Sequence, residues 1–200
     1  MSAAEDAVAL AIRNAGCPGY TLGTYRWSLG HLLRKLGRSE AAEKQYREIL
    51  SDAGSLTYDC RAAHEGLAWC AIDRGQSGAA RREAEAAVRL AEEMGDEALG
   101  PALEVLVAAC RAAEDLPAAR RAAEQRVKGA RRVGIDYDLY FALRGATDVA
   151  LDEGRTAEAH ALLEEAAPLA ELLDQQSGLN EKRAEIAQRR ERLARMEAKP

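Results

Sequence analysis

Residues 74–96 read RGQSGAARREAEAAVRLAEEMGD, and residues 113–135 read AEDLPAARRAAEQRVKGARRVGI. Sliding one onto the other places Gly78 on Pro117, Ala79-Ala80-Arg81-Arg82 on Ala118-Ala119-Arg120-Arg121, and Gly95 on Gly134. One offset holds across the whole stretch, so the match is a duplicated structural unit and not a shared composition. Looser copies begin at Glu153, EGRTAEAHALLEEA, and at Leu36, LGRSEAAEKQYREIL. Gly37, Gly75, Glu114 and Gly154 are then equivalent points, separated by 38, 39 and 40 residues. Ala, Arg, Glu and Leu dominate the sequence, which favours helix by intrinsic propensity. A helical period near 40 residues predicts an all-α solenoid of antiparallel helix pairs.

Working outward from this unit, the chain divides as one domain. Residues 1–19 read as an N-terminal cap helix, with Ser2 and Glu5 in capping-box spacing and Val8, Ala11 and Ile12 on its apolar face. Repeats follow at 20–56, 57–95, 96–134 and 135–177, and residues 178–200 form a C-terminal cap helix. Thr57, Ser77, Asp136 and Thr156 are expected helix N-caps. Pro101 either opens a helix or kinks one near Gly100, Pro117 opens the next, and Pro168 is expected to kink its helix. Leu179, Ile186 and Leu193 recur every seven residues and are expected to dock the last helix on repeat four as a lid. A homodimeric coiled coil is the rival reading, against which Lys182 and Arg189 stand at the paired seam positions.

Composition excludes several function classes. The net charge of −5 and aromatic content of 4% argue against a nucleic-acid binder. The charge is blocked: residues 111–132 carry bases at 111, 120, 121, 126, 128, 131 and 132, whereas residues 136–174 carry ten acids and only Arg144 and Arg155 as bases. Such blocks read as solvated helix faces. Cys17, Cys60, Cys70 and Cys110 form no CxxC pair and lie at no metal-ligand spacing. Free thiols, with no basic-then-apolar leader and no apolar run long enough for a bilayer, predict a cytoplasmic chain. His31, His64 and His160 are scattered, and the Asp136/Asp138 pair suits a helix N-terminus. No phosphate loop, HExxH or nucleophile elbow is present. No cofactor and no enzymatic activity are expected.

Within each repeat, small residues fall where two helices would cross. They include Gly30 after Leu29, with Ala42 and Tyr46, in repeat one, and Ala68 after Leu67, with Gly75, Ala80, Ala84 and Ala87, in repeat two. Repeat three has Leu106-Val107, Ala119 and Ala123, and repeat four Ala146-Thr147, Gly154, Ala159, Leu163 and Ala166. This pattern resembles the tetratricopeptide repeat over residues 21–176. The units are longer than the usual length of about 34 residues. In that they look like the elongated repeats of bacterial signalling and transcription-regulator domains.

The resemblance implies a right-handed superhelix whose first helices line a concave groove. It places Trp27, His31, Arg34 and Lys35 there from repeat one, and Glu65, Trp69 and Asp73 from repeat two. Glu104 and Arg111 follow from repeat three, and Arg144 and Asp148 from repeat four. The family's carboxylate-clamp residues are absent: Trp27, His31 and Gly66 stand where Lys and Asn are needed. The function expected is a non-catalytic scaffold binding a protein or peptide in the groove. The alternative is a sensory or regulatory module that switches on binding a peptide or small molecule. Neither a membrane nor a nucleic acid is expected as partner, and monomer and weak homodimer both remain open.

Overall fold

The computed structural model describes residues 21–198. Among them are nine helices and no strand. They are α1 (Leu22–Lys35), α2 (Ser39–Ser51), α3 (Thr57–Asp73), α4 (Ser77–Met94), α5 (Asp96–Ala112), α6 (Leu116–Val133), α7 (Asp136–Asp152), α8 (Thr156–Ser177) and α9 (Glu181–Glu197). The expected helix within residues 1–19, and Cys17 with it, lie outside the described residues. The fold is an all-helical repeat, built of successive helix pairs as an α-solenoid requires.

The turn inside each pair is the same device four times. At Gly37, Gly75, Glu114 and Gly154 the backbone has φ of 73°, 69°, 58° and 72°. In each, that residue donates its N–H back to a carbonyl three residues earlier, and the next residue donates to one five residues earlier. Examples are Gly75 to Ile72 at 2.9 Å and Gln76 to Ala71 at 2.8 Å, then Glu114 to Arg111 and Asp115 to Cys110, both at 3.0 Å. This doubly bonded left-handed cap satisfies the last carbonyls of one helix and returns the chain onto it. Glu114, where the sequence lacks the glycine, adopts the same left-handed conformation; it is the one non-glycine residue with positive φ among those described.

The N-termini depart from expectation. Thr57, Ser77, Asp136 and Thr156 are first helical residues; the caps are Leu56, Gln76, Ile135 and Arg155, with no side-chain cap bond. Side-chain caps occur instead at Thr21, which accepts from the Thr24 N–H, and at Asp115, which accepts from Ala118. Helix α5 begins at Asp96 and runs through Pro101, so it does not open there, and α8 runs through Pro168.

The chain clusters into two compact units, Met1–Val105 and Leu106–Pro200. In the first, α3 packs on α1, α2 and α4. Its core centres on Leu29, Leu33, Tyr46, Ile49, Leu67 and Cys70. Fully buried alanines (Ala80, Ala84, Ala87 and Ala91) let α4 approach its neighbours closely. Thr21 and Thr24 donate their hydroxyls to Asp59 at 2.7 and 3.3 Å, fastening the start of α1 to α3.

In the second unit, α7 packs on α6 and α8, and α9 packs on α8 and touches α7. Ile186 and Leu193, each 4% exposed, enter the core of Tyr140, Leu143, Leu151, Leu163 and Leu173. Leu179 does not: it is 50% exposed and precedes the helix. The start of α9 is set by Asp174, whose buried carboxylate accepts the backbone N–H groups of Lys182 and Arg183 at 3.0 and 2.9 Å. No helix among the described residues is long and apolar enough to cross a membrane.

Candidate functional site

In the first unit, the spacing of Trp27, His31 and Arg34 puts all three on one face of α1. The Trp27 and His31 rings stack with centroids 5.6 Å apart and planes 21° from parallel. Trp27 is half-buried against the α1–α2 core, whereas His31 is exposed. Partial burial lowers the His31 pKa, and the nearby Arg34 and Lys35 charges lower it further, so the stack holds a neutral imidazole at neutral pH. Lys35 is exposed at the end of α1.

Arg34 bridges to α3. Its guanidinium lies 5.5 Å from the centre of the half-buried Trp69 ring. It also donates to Asp73 at 3.0 Å, one turn beyond. Five of the expected groove residues, Trp27, His31, Arg34, Trp69 and Asp73, thus fall into two contacting sets on neighbouring first helices: the Trp27–His31 stack and the Arg34–Trp69–Asp73 cluster.

Glu65 is a different kind of residue from these. It lies one turn before Trp69 but is buried, at 9% exposure, and is held by Arg61 on the same helix. Burial pushes its carboxyl up to about 7; the Arg61 charge and hydrogen bond pull down, and the Glu104 carboxylate of α5 adds to the rise. Arg61 is itself buried and its guanidinium covers the Tyr58 ring at 4.9 Å. The only mark of Arg61 in the sequence is its spacing of four from Glu65.

In the second unit the expected groove residues are tied into a lattice of ion pairs. Arg111 reaches Asp152 at 2.6 Å and Asp148 at 3.6 Å. Asp148 receives a two-pronged contact from Arg189, at 2.7 and 2.9 Å. Arg144 covers Phe141 at 4.4 Å and pairs with Glu185 at 3.2 Å, and Arg192 pairs with Asp152 at 2.7 Å. Three of these partners, Glu185, Arg189 and Arg192, belong to α9. The sequence signal for them was the repeat itself: they lie 40 or 41 residues beyond Asp152, Arg144 and Asp148. Arg34 and Asp73 are likewise 39 apart. Helix α9 therefore occupies the place of the first helix of a further repeat.

Among the described residues no cluster of His, Cys, Asp and Glu could hold a metal ion. Cys60, Cys70 and Cys110 are free thiols, and burial pushes Cys70 up to about 11, away from the reactive thiolate. His64 pairs with Glu83 at 2.7 Å.

No family model matches the chain. No curated protein matches it either. Among solved structures, the chain is similar to the crystal structure of a de novo designed helical repeat protein, with 21% identity over 98% of this chain and 96% of that one and a TM-score of 0.36.

Proposed function

We propose that the chain is a non-catalytic interaction module of tetratricopeptide type, working in a bacterial cytoplasm, that holds a segment of a partner protein on the first-helix face of its first unit. One observation supports this most. The only two tryptophans, Trp27 and Trp69, stand half-buried on neighbouring first helices, one stacked by an exposed imidazole and the other by a guanidinium. A chain with 4% aromatic residues would bury a tryptophan for stability alone. Half-buried tryptophan beside Arg is the composition of binding hot spots.

The chemistry of the partner follows from the charges. Arg34 is engaged by Asp73, and Glu65 by Arg61. Attraction to this face is therefore mainly apolar and aromatic, and the segment it fits carries a large apolar side chain to lay against the rings. The test uses wild type and Trp69→Ala as paired baits in native lysate, with each bait's melting temperature measured alongside. Loss of a captured partner by Trp69→Ala, with the melting temperature kept within a few degrees, supports the proposal. Equal capture by both baits overturns it.

A further inference from the structure

Helix α9 joins the second unit in an unusual way for a repeat helix. Of its 17 residues only Ile186 and Leu193 are buried. Helix α7, by contrast, buries Tyr140, Ala142, Leu143, Thr147, Val149, Ala150 and Leu151. Two buried aliphatic side chains offset little of the conformational entropy lost in ordering a helix of this length. Met196 packs partly buried against the same core, and the rest of the contact is electrostatic. Arg189 grips Asp148, Arg192 reaches Asp152, Glu185 accepts from Tyr140 and Arg144, and Arg190 pairs with Glu164 at 2.9 Å. Asp174 takes the first backbone N–H groups, and Arg183 lies 3.5 Å from it. Charge carries the contact along the whole helix, and most of these side chains are partly open to solvent. Such pairs weaken as salt screens them.

We propose that α9 is a salt-sensitive strap: it opens as one unit about residues 178–180 while α7 and α8 stay folded, uncovering the apolar seat of Ile186 and Leu193. The hinge is short, and Gly178 sits there with φ of 70°, the left-handed conformation that ends α8. The inference does not depend on the proposed partner face of the first unit.

The test is amide hydrogen exchange on the full chain at low salt and at about 1 M NaCl, where the Debye length falls to about 3 Å. Exchange in α9 is expected to rise about tenfold or more with salt while α7 and α8 change little, as sub-global opening requires. A second variant separates charge from general fraying. Replacing the grip by an apolar pair, Arg189→Met with Asp148→Leu, is expected to keep α9 protected and to weaken its salt response without abolishing it, because the Arg192–Asp152, Arg144–Glu185 and Arg190–Glu164 pairs remain. Exchange of α9 at the same rate as α8, or at a rate independent of salt in the wild type, overturns the proposal. So does a double variant that keeps the full salt response.

Discussion

The ring of Tyr46, on α2, rests directly against the backbone of Gly66, on α3, where no Cβ could fit without driving into the ring. A Cβ at Gly30, on α1, would likewise come within 2.6 Å of the same ring. Tyr46 is 1% exposed, so it cannot swing out of the way. One aromatic side chain thus sets how closely α1, α2 and α3 approach, and it requires the two small residues packed against it.

Gly66→Ala should therefore destabilise the first unit, although Ala is the better helix former. The propensity gain is about 1 kcal/mol. Overpacking a rigid ring in a closed core costs about 1–3 kcal/mol, so the clash wins. Gly129, inside α6 with open space around it, is the control: Gly129→Ala should raise stability by about 0.5–1 kcal/mol. Urea unfolding of both variants checks the pair, and a stabilised Gly66→Ala would contradict the close contact.

Glu114 holds a turn conformation that its three counterparts assign to glycine. A non-glycine residue in the left-handed region costs about 1–2 kcal/mol. Glycine gives part of that back through the greater freedom of the unfolded chain. Glu114→Gly should raise stability by about 1 kcal/mol, whereas Gly75→Glu or Gly154→Glu should lower it. Midpoints of chemical unfolding with unchanged slopes would show this.

How much of this was legible in the sequence depends on the distance over which a residue acts. The turns were legible because a left-handed cap needs glycine, and glycine at steps near 40 is visible without a structure. The helix pairs followed from Ala80 and Ala119, both fully buried. The contact of Trp27 with His31 came from helix spacing alone. What stayed hidden was contact between residues with no local signature: Asp59 under Thr21, Asp174 at the head of α9, and Tyr46 on Gly66. Leu179 was misjudged because a seven-residue spacing cannot show where a helix starts, and the Asp174 cap starts it at Glu181. Arg144 and Asp148 fall among the expected groove residues by their position in the repeat, which does not show that α9 supplies partners for them, Glu185 and Arg189. The 41-residue offset of α9 from α7 makes it the next first helix, which pairs with them.

Glu65 gives the first unit a pH dependence of unusual sign for a carboxylate. Its folded pKa is raised from 4.5 to about 7. Between those values the folded state binds more protons than the unfolded, so stability falls as pH rises. The stabilisation by this group is whole below about pH 4.5 and is lost through about pH 7, an effect of up to about 3 kcal/mol. Glu65→Gln should remove that slope. Well below pH 7 Gln resembles the protonated Glu65 and should change stability little, and above pH 7 the variant should keep the stability that the wild type loses on ionisation. The measurement that decides is the difference in slope between pH 5 and 7.5, not the absolute stability. Parallel curves for the two proteins would show that Glu65 titrates normally.

The Trp27–His31 stack can be watched by light. In a Trp69→Phe background Trp27 is the only indole, and its ring centre lies 5.6 Å from that of His31. A protonated imidazole at that distance quenches indole emission, while the neutral ring does so weakly. Burial and the Arg34 and Lys35 charges hold the His31 pKa below 6.5. Emission should therefore fall on acidification with a midpoint below 6.5, and His31→Gln should leave it flat over the same range. Neutralising Lys35 with Lys35→Gln should move the midpoint upward, because one of the two repelling charges is gone. A midpoint above 6.5, or a titration that survives His31→Gln, would place the imidazole somewhere other than against Trp27. That outcome would remove one of the two aromatic plates on which the proposed partner-binding face rests.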